Sequence, residues 1–288
     1  MKTPTVIGCC VQGASHKRTN VDCQDSKKWL WLNDDSVVVS VADGHGSKSC
    51  PYSKTGSKTA VNVFCDIMNR LYQGYKNNLD ALLTFLYRDG DTKIAQMIQD
   101  EWNKRIYSTH RKKKRDIQYL ADGTVDKAEV YKQYGTTLLG TLVTPEFVFA
   151  FQIGDGDITY ASETEVKPFL VSSKILGTET HSLSKSDAWK KAITVLYRTE
   201  SFPKENTALI MSTDGFSNSF INENEYHVAC RDYCNMLSQY GEAAVKANLK
   251  YWHDETSQQG CGDDITLVML YYGEENEQSD YKTCSSES

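Results

Sequence analysis

An α+β fold, with antiparallel sheets covered by helices, is what this sequence predicts, and three observations point there. Nine short apolar runs have strand character, which is a lot of sheet for one chain. The segments with helical spacing are grouped, several together early in the chain and a pair before the last strand. A doubly wound parallel sheet would alternate them one for one with strands. The chain also has 288 residues, 40% hydrophobic and 24% charged, an ordinary globular composition with ample apolar material for a core.

In chain order, the first strand spans 6–11, the second 29–32 and the third 37–42, where Val-Val-Val-Ser-Val-Ala is rich in β-branched residues. Residues 57–73 place Ala60, Val61, Phe64, Ile67, Met68 and Leu71 on one helical face. Two further helices follow at 79–87 and 94–106. Strands at 136–143 and 147–153 are joined by Thr144-Pro145-Glu146, which is hairpin-turn chemistry. Strands at 158–161, 169–172 and 208–212 come next, then helices at 226–237 and 243–252. The last strand runs over 265–272. From 273 to 288 the chain is acidic and Ser-rich without apolar periodicity, which predicts a disordered tail.

Net charge is −6 and the pI about 5.6, so nothing global calls for nucleic acid or an anionic membrane as partner. No stretch approaches the ~20 apolar residues of a membrane span. The N-terminus lacks the apolar region of a signal peptide. Nine cysteines, an odd number without a framework pattern, read as reduced thiols, and the cytoplasm is the expected compartment. Cys230 and Cys234, one helical turn apart, have no companion pair at zinc spacing and read as structural thiols. The basic run His110-Arg111-Lys112-Lys113-Lys114-Arg115 reads either as solvated surface or as a docking site for an acidic or phosphorylated partner.

Candidate chemistry lies in carboxylates at strand ends. Five Asp-Gly dipeptides begin at Asp43, Asp89, Asp122, Asp155 and Asp214. Asp-Gly is common turn chemistry, but context separates the five. Asp89 and Asp122 sit in polar surroundings, whereas Asp43, Asp155 and Asp214 each end an apolar strand. Asp25 and the pair Asp263-Asp264 stand where strands begin. In antiparallel neighbours the start of one strand lies beside the end of the next, so these groups gather at one rim. Carboxylates crowded together repel unless a cation neutralises them. All-oxygen ligation suits Mg²⁺ or Mn²⁺ rather than zinc, and an Asp-rich site for two hard cations is suited to phosphoester hydrolysis.

The order of motifs resembles the type 2C (PPM) metal-dependent serine/threonine protein phosphatase family. The matching pieces are Asn20-Val-Asp-Cys-Gln24-Asp25, Val41-Ala-Asp43-Gly44-His45-Gly46, Gly135-Thr136-Thr137, Ile153-Gly154-Asp155-Gly156, Met211-Ser-Thr-Asp214-Gly215 and Gly262-Asp263-Asp264-Ile265-Thr266. Ser15-His16 ahead of Cys23-Gln24-Asp25 is more similar to the bacterial-type branch. The resemblance implies a sandwich of two antiparallel β-sheets flanked by helix pairs, with a dinuclear metal site at one end. It implies a single domain over 1–272, with 79–133 inserted relative to a minimal domain as a flap, a docking subdomain or a surface insertion.

The resemblance also implies roles. Asp43 matches the bridging carboxylate, and Gly44 offers its carbonyl. Asp25, Asp214 and Asp263 match the other ligands of two Mn²⁺ or Mg²⁺ ions. Asp155 with Asp214 matches the carboxylates that hold a weaker third ion in some members. His45 matches the general acid. The implied reaction is direct attack of a metal-bridging water on phosphoserine or phosphothreonine of a protein substrate, with His45 protonating the leaving oxygen. No Cys is followed by the five-residue spacer and Arg of a cysteine-phosphatase loop. The chain departs from the family where Asn20 replaces a phosphate-binding Arg, which leaves His16, Lys17 and Arg18 as candidate phosphate contacts. It departs also at Gln24, Asn218 and Asp264, where Glu, Asp and Asn are usual. An inert phosphoprotein-binding scaffold and a phosphoesterase acting on small molecules are the alternatives.

Overall fold

The computed structural model describes residues 3–171, 181–200, 202 and 205–273. Ten strands occur among them: β1 (Thr5–Val11), β2 (Ser26–Trp31), β3 (Val37–Ala42), β4 (Leu138–Val143), β5 (Phe147–Ile153), β6 (Asp157–Ser162), β7 (Val166–Pro168), β8 (Ile193–Arg198), β9 (Thr207–Ser212) and β10 (Ile265–Tyr272). They form two five-stranded sheets, in the orders β1-β10-β9-β6-β7 and β2-β3-β4-β5-β8. Every pairing within them is antiparallel. The helices are α1 (Ala14–Thr19), α2 (Ser53–Tyr75), α3 (Leu79–Asp89), α4 (Ala95–Lys112), α5 (Lys127–Lys132), α6 (Asp214–Ser217) and α7 (Glu223–Gln259).

The pleat explains how the layers stack. Alternate residues of a strand face opposite sides. In β3, Val37, Val39 and Val41 enter the core between the sheets, where they meet Met211, Val268 and Leu270. Val38 and Ala42 face the helical layer, where Phe64, Ile67, Met68 and Trp102 pack. In β10, Leu267 and Met269 turn the other way, onto Phe216, Tyr233 and Leu249. Central strands covered on both faces must be apolar on both faces, which is why β3, β4, β5, β9 and β10 are buried throughout.

Segment 79–133 supplies much of one outer layer. Leu82, Leu86, Ile98, Trp102, Ile106 and Val130 are buried in it, and Trp102 Nε1 donates to the Gly56 carbonyl at 3.1 Å. A five-residue π-helical turn, Gly90–Ile94, links α3 to α4. The expected late helix pair is there too, joined end to end as α7 and interrupted at Gly241.

One expected strand is displaced. The chain pairs at Val166–Pro168 instead of at 169–172. Pro168 carries no N–H to continue a ladder. Beyond it, the Phe169 and Leu170 amides both turn to the Ile158 carbonyl, at 2.8 and 3.4 Å. The Phe169 ring drops onto Tyr197 and Phe202. Ser172 lies outside the described residues, as does the expected tail beyond Gly273. Strand β8 and helices α1 and α5 are additions to the sequence-based outline. No helix among the described residues is long and apolar enough to cross a membrane. The eight described cysteines are free thiols.

The topology brings strand ends to one rim. The end of β3 lies against the start of β2 (Ala42↔Ser26), and the start of β4 against the end of β5 (Leu138↔Ile153). In the other sheet the end of β9 lies between the starts of β10 (Ser212↔Leu267) and β6 (Ser212↔Asp157).

Candidate functional site

The residues just beyond those strand ends carry the acidic groups. Asp43 follows β3, Asp214 follows Thr213 after β9, and Asp155 follows Gly154 after β5. Asp25 precedes β2, and Asp263-Asp264 precede β10. The backbone of Asp43 is fixed three times over. Its N–H donates to Thr137 Oγ1 (2.9 Å), and its carbonyl accepts from Thr136 Oγ1 (2.6 Å) and the Thr137 amide (2.8 Å). Such anchoring aims the side chain without consuming its carboxylate. Thr213 joins the sheets: its hydroxyl donates to Asp25 Oδ2 at 2.7 Å and accepts from the Thr266 amide at 3.0 Å.

Five carboxylates feel one another. Burial pushes the Asp43 carboxyl well above its usual range, and Asp25, Asp214, Asp263 and Asp155 push it further. Asp25 is likewise raised, first by burial and then by neighbouring charge from Cys10 and Asp264, against the lowering hydrogen bond from Thr213. Asp214 is pushed up to about 6 by burial, then by Asp155 and Asp263, while a hydrogen bond with Asp43 opposes this. Asn218 Nδ2 donates to Asp214 Oδ2 at 3.0 Å. Asp157, which opens β6, also adds to the field on Asp214; the sequence reading overlooked it, although Asp155-Gly156-Asp157 places it two residues from an expected member.

Asp264 has a different place from its neighbour. It is buried and fully engaged: Oδ1 accepts from the Gly13 amide (2.7 Å) and meets His16 Nδ1 (2.9 Å), and Oδ2 accepts from the Gln24 amide (2.7 Å). It ties α1 and the loop before β2 to the start of β10. Asp263 stays exposed beside it. The ligand atoms of His16, Asp263 and Asp264 lie within 4.8 Å of one another. Because the Asp264 oxygens are already occupied, we read Asp264 as an anchor rather than as a cation ligand.

His45 sits beside this rim. Its amide donates to the Gly135 carbonyl at 3.0 Å. A Cβ on Gly135 would lie 2.6 Å from His45 Cδ2, so the imidazole occupies space that only glycine leaves open. Gly44 is equally constrained, since a Cβ there would meet the Gln24 carbonyl oxygen at 2.6 Å. Gln24 Oε1 and Ser53 Oγ, close to this loop, are buried with no hydrogen-bond partner among the described residues. Of the candidate phosphate contacts, His16 points Nε2 toward Gly46 (3.7 Å from an added Cβ). Lys17 pairs with Asp254 at 2.6 Å, and Arg18 is exposed.

The remaining Asp-Gly dipeptides lie elsewhere. Asp89 pairs with Arg88 and Lys93 at the end of α3, and Asp122 accepts from Thr124 in a turn.

Comparison with known proteins gives a consistent likeness. The family model described as protein phosphatase 2C matches residues 12–252. The serine/threonine-protein phosphatase 3 of Escherichia coli (strain K12) is 24% identical over 148 residues, 51% of this chain and 49% of that one. The chain thus matches about half the length of this curated relative. The serine/threonine phosphatase Stp1 from Staphylococcus aureus superposes with a TM-score of 0.58, covering 95% of this chain and 98% of that one at 13% identity. The S. agalactiae serine/threonine phosphatase gives 0.57 over 93% and 99%, also at 13% identity. These structures share the two-sheet fold.

Proposed function

The chain belongs to the protein phosphatase 2C family, and from that premise we propose that it hydrolyses phosphoserine and phosphothreonine in phosphoproteins with divalent cations held by the rim carboxylates. The observation that carries the reading is the gathering of Asp25, Asp43, Asp155, Asp214 and Asp263 within reach of one another's charge. Crowded carboxylates, with the proton affinity of Asp25, Asp43 and Asp214 raised by burial and by neighbouring charge, suit a bound cation. Their donor set is all oxygen, which fits Mn²⁺ or Mg²⁺. The orphaned Gln24 Oε1 adds an acceptor suited to water on such an ion.

In this proposal Asp43 and the Gly44 carbonyl stand at the centre, with Asp25, Asp214 and Asp263 as the further ligands. Asp155 with Asp214 holds a weaker third ion. Bound cations would supply neutralisation of phosphoryl charge and a water of lowered pKa. The protein's own groups do the rest. Thr136 and Thr137 lock the Asp43 backbone, and Thr213 orients Asp25. His45, held against Gly135, gives its proton to the departing seryl or threonyl oxygen. His16, facing Gly46, is the member of the His16, Lys17 and Arg18 trio best placed to contact the phosphate.

Hydrolysis of a phosphothreonine peptide with Mn²⁺, with Mg²⁺ and with chelator tests this. Turnover should need metal and fall by about 10²-fold or more in Asp43→Asn. Metal-independent turnover, or undiminished turnover in Asp43→Asn, overturns the reading.

A further inference from the structure

The basic run at the end of α4 takes part in no ligand-like contact described so far, and its members divide between two settings. His110 is buried, bonded to Tyr134 Oη (3.1 Å) and the Asp116 carbonyl (3.0 Å). The Arg115 guanidinium lies 3.3 Å over the Tyr52 ring and donates to Tyr134 Oη. Tyr134 immediately precedes Gly135, whose carbonyl holds the His45 amide. One end of the run is therefore packed on Tyr52 and on Tyr134, the residue before the glycine that His45 meets.

The other end opens into a pocket. Arg111 and Lys112, with Lys104 one helical turn or more before them and Lys127 at the start of α5, line an open cavity of about 820 Å³. Asp100 is its single acidic lining residue. All four cations are exposed. Lys104 reaches Glu101 at 3.7 Å, but Arg111, Lys112 and Lys127 have no carboxylate partner among the described residues. Lys127 instead rests over the Tyr107 ring at 5.4 Å. In a chain of net charge −6, three unneutralised cations around one concavity are a local reversal of sign. Such a reversal focuses anions, and the Tyr107 ring holds Lys127 ready at low entropic cost.

We propose that the pocket between α4 and α5 binds an acidic segment of the phosphoprotein substrate, as a recognition site separate from the carboxylate centre. This rests on the phosphatase reading for its purpose, and on charge complementarity and the continuous run from Arg111 to Arg115 for its place. An anionic stretch laid along that run ends at Arg115, over Tyr52 and Tyr134. It meets no such welcome at the rim itself, where the carboxylates repel it. The pocket thus favours substrates whose phosphorylated residue has acidic neighbours.

The test has a binding arm that needs no turnover. In chelator, fluorescence anisotropy follows a labelled, unphosphorylated peptide rich in glutamate, against its glutamine counterpart. The glutamate peptide should bind the wild-type protein and lose about tenfold in affinity in Arg111→Glu/Lys127→Glu. Lys58→Glu/Lys76→Glu, on exposed lysines within and just after α2, changes net charge equally and should bind as wild type does. The Gln counterparts Arg111→Gln/Lys127→Gln should show a smaller loss, and all differences should shrink near ~0.5 M salt. No binding of the glutamate peptide, equal binding by both double variants, or tighter binding of a single-stranded oligonucleotide of matched charge overturns the proposal. In the turnover arm, kcat/KM for a phosphothreonine peptide should favour glutamate over glutamine flanks in the wild type but not in Arg111→Glu/Lys127→Glu, with p-nitrophenyl phosphate hydrolysis unchanged. Loss of all turnover with metal would sink the phosphatase reading alone, because the binding arm still decides the pocket.

Discussion

Replacing Asp214 by Asn should make the metal-free protein more stable while weakening its response to metal. The Asp214 carboxyl is pushed up to about 6 from 3.8 by burial and by Asp155 and Asp263. The folded protein thus holds that proton more tightly than the unfolded chain. Its contribution is neutral below about pH 4, grows unfavourable as pH rises from 4 to 6, and is complete above about 7. At about 1.4 kcal/mol per pKa unit, ionised Asp214 costs the metal-free fold about 3 kcal/mol at pH 7.5. Asparagine keeps the shape and an oxygen for Asn218 to donate to, yet cannot ionise. Thermal melts in chelator should show Asp214→Asn about 5 °C above wild type at pH 7.5, and only about a third of that at pH 4.5. With Mn²⁺ the wild type should gain more than the variant. A variant that melts lower than wild type in chelator at pH 7.5, or whose advantage does not change between pH 4.5 and 7.5, refutes the repulsion argument.

Three further predictions stand on single residues. His45→Ala should slow hydrolysis of a phosphothreonine peptide by about 10²-fold or more yet barely affect p-nitrophenyl phosphate, whose leaving group needs no proton. Equal slowing of both would remove the general-acid role. Asp264→Ala strands the Gly13 and Gln24 amides and His16, and should cost about 3 kcal/mol in urea unfolding. An unchanged midpoint would show that this anchor is dispensable. His253 is buried between Phe216 and Tyr233 with neither ring nitrogen paired among the described residues, and burial pushes it down to about 4 from 6.5. Its neutral form favours folding above about pH 6.5, and that share is lost as pH falls toward 4, up to about 3 kcal/mol. The melting temperature of wild type should therefore drop relative to His253→Phe between pH 6.5 and 4.5, and a constant difference would contradict this.

The parts of the molecule legible in its sequence are those whose cause is local. Val-Val-Val-Ser-Val-Ala followed by Asp43-Gly44 carries strand propensity and a break within nine residues, and the structure ends β3 there. The stripe from Ala60 to Leu71 is likewise intrinsic to one helix. Strand β8 was hidden because it is a half-buried edge, ending in the exposed Tyr197 and Arg198, whose strand state depends on pairing with β5. Helix α1 has six residues and no apolar stripe; it is held by Ser257, Gly262 and Asp264, some 240 residues away. The same distance concealed the difference between Asp263 and Asp264. Nor could the sequence show that Arg115 would stack on Tyr52, since 63 positions and three helices separate them.

Among the described residues, strand β1 takes its only ladder from β10, with Thr5 opposite Tyr271. During synthesis from the N-terminus, β1 must wait for more than 250 residues, on the order of ten seconds or more at usual ribosomal rates. Throughout that wait its apolar face and ladder groups lack their native cover, and Asp263 has not yet been made. A nascent or truncated chain therefore contains Asp25 and Asp43 without the fold that gathers them. The rim is complete only with the last strand, and aggregation of β1 is the hazard that precedes it.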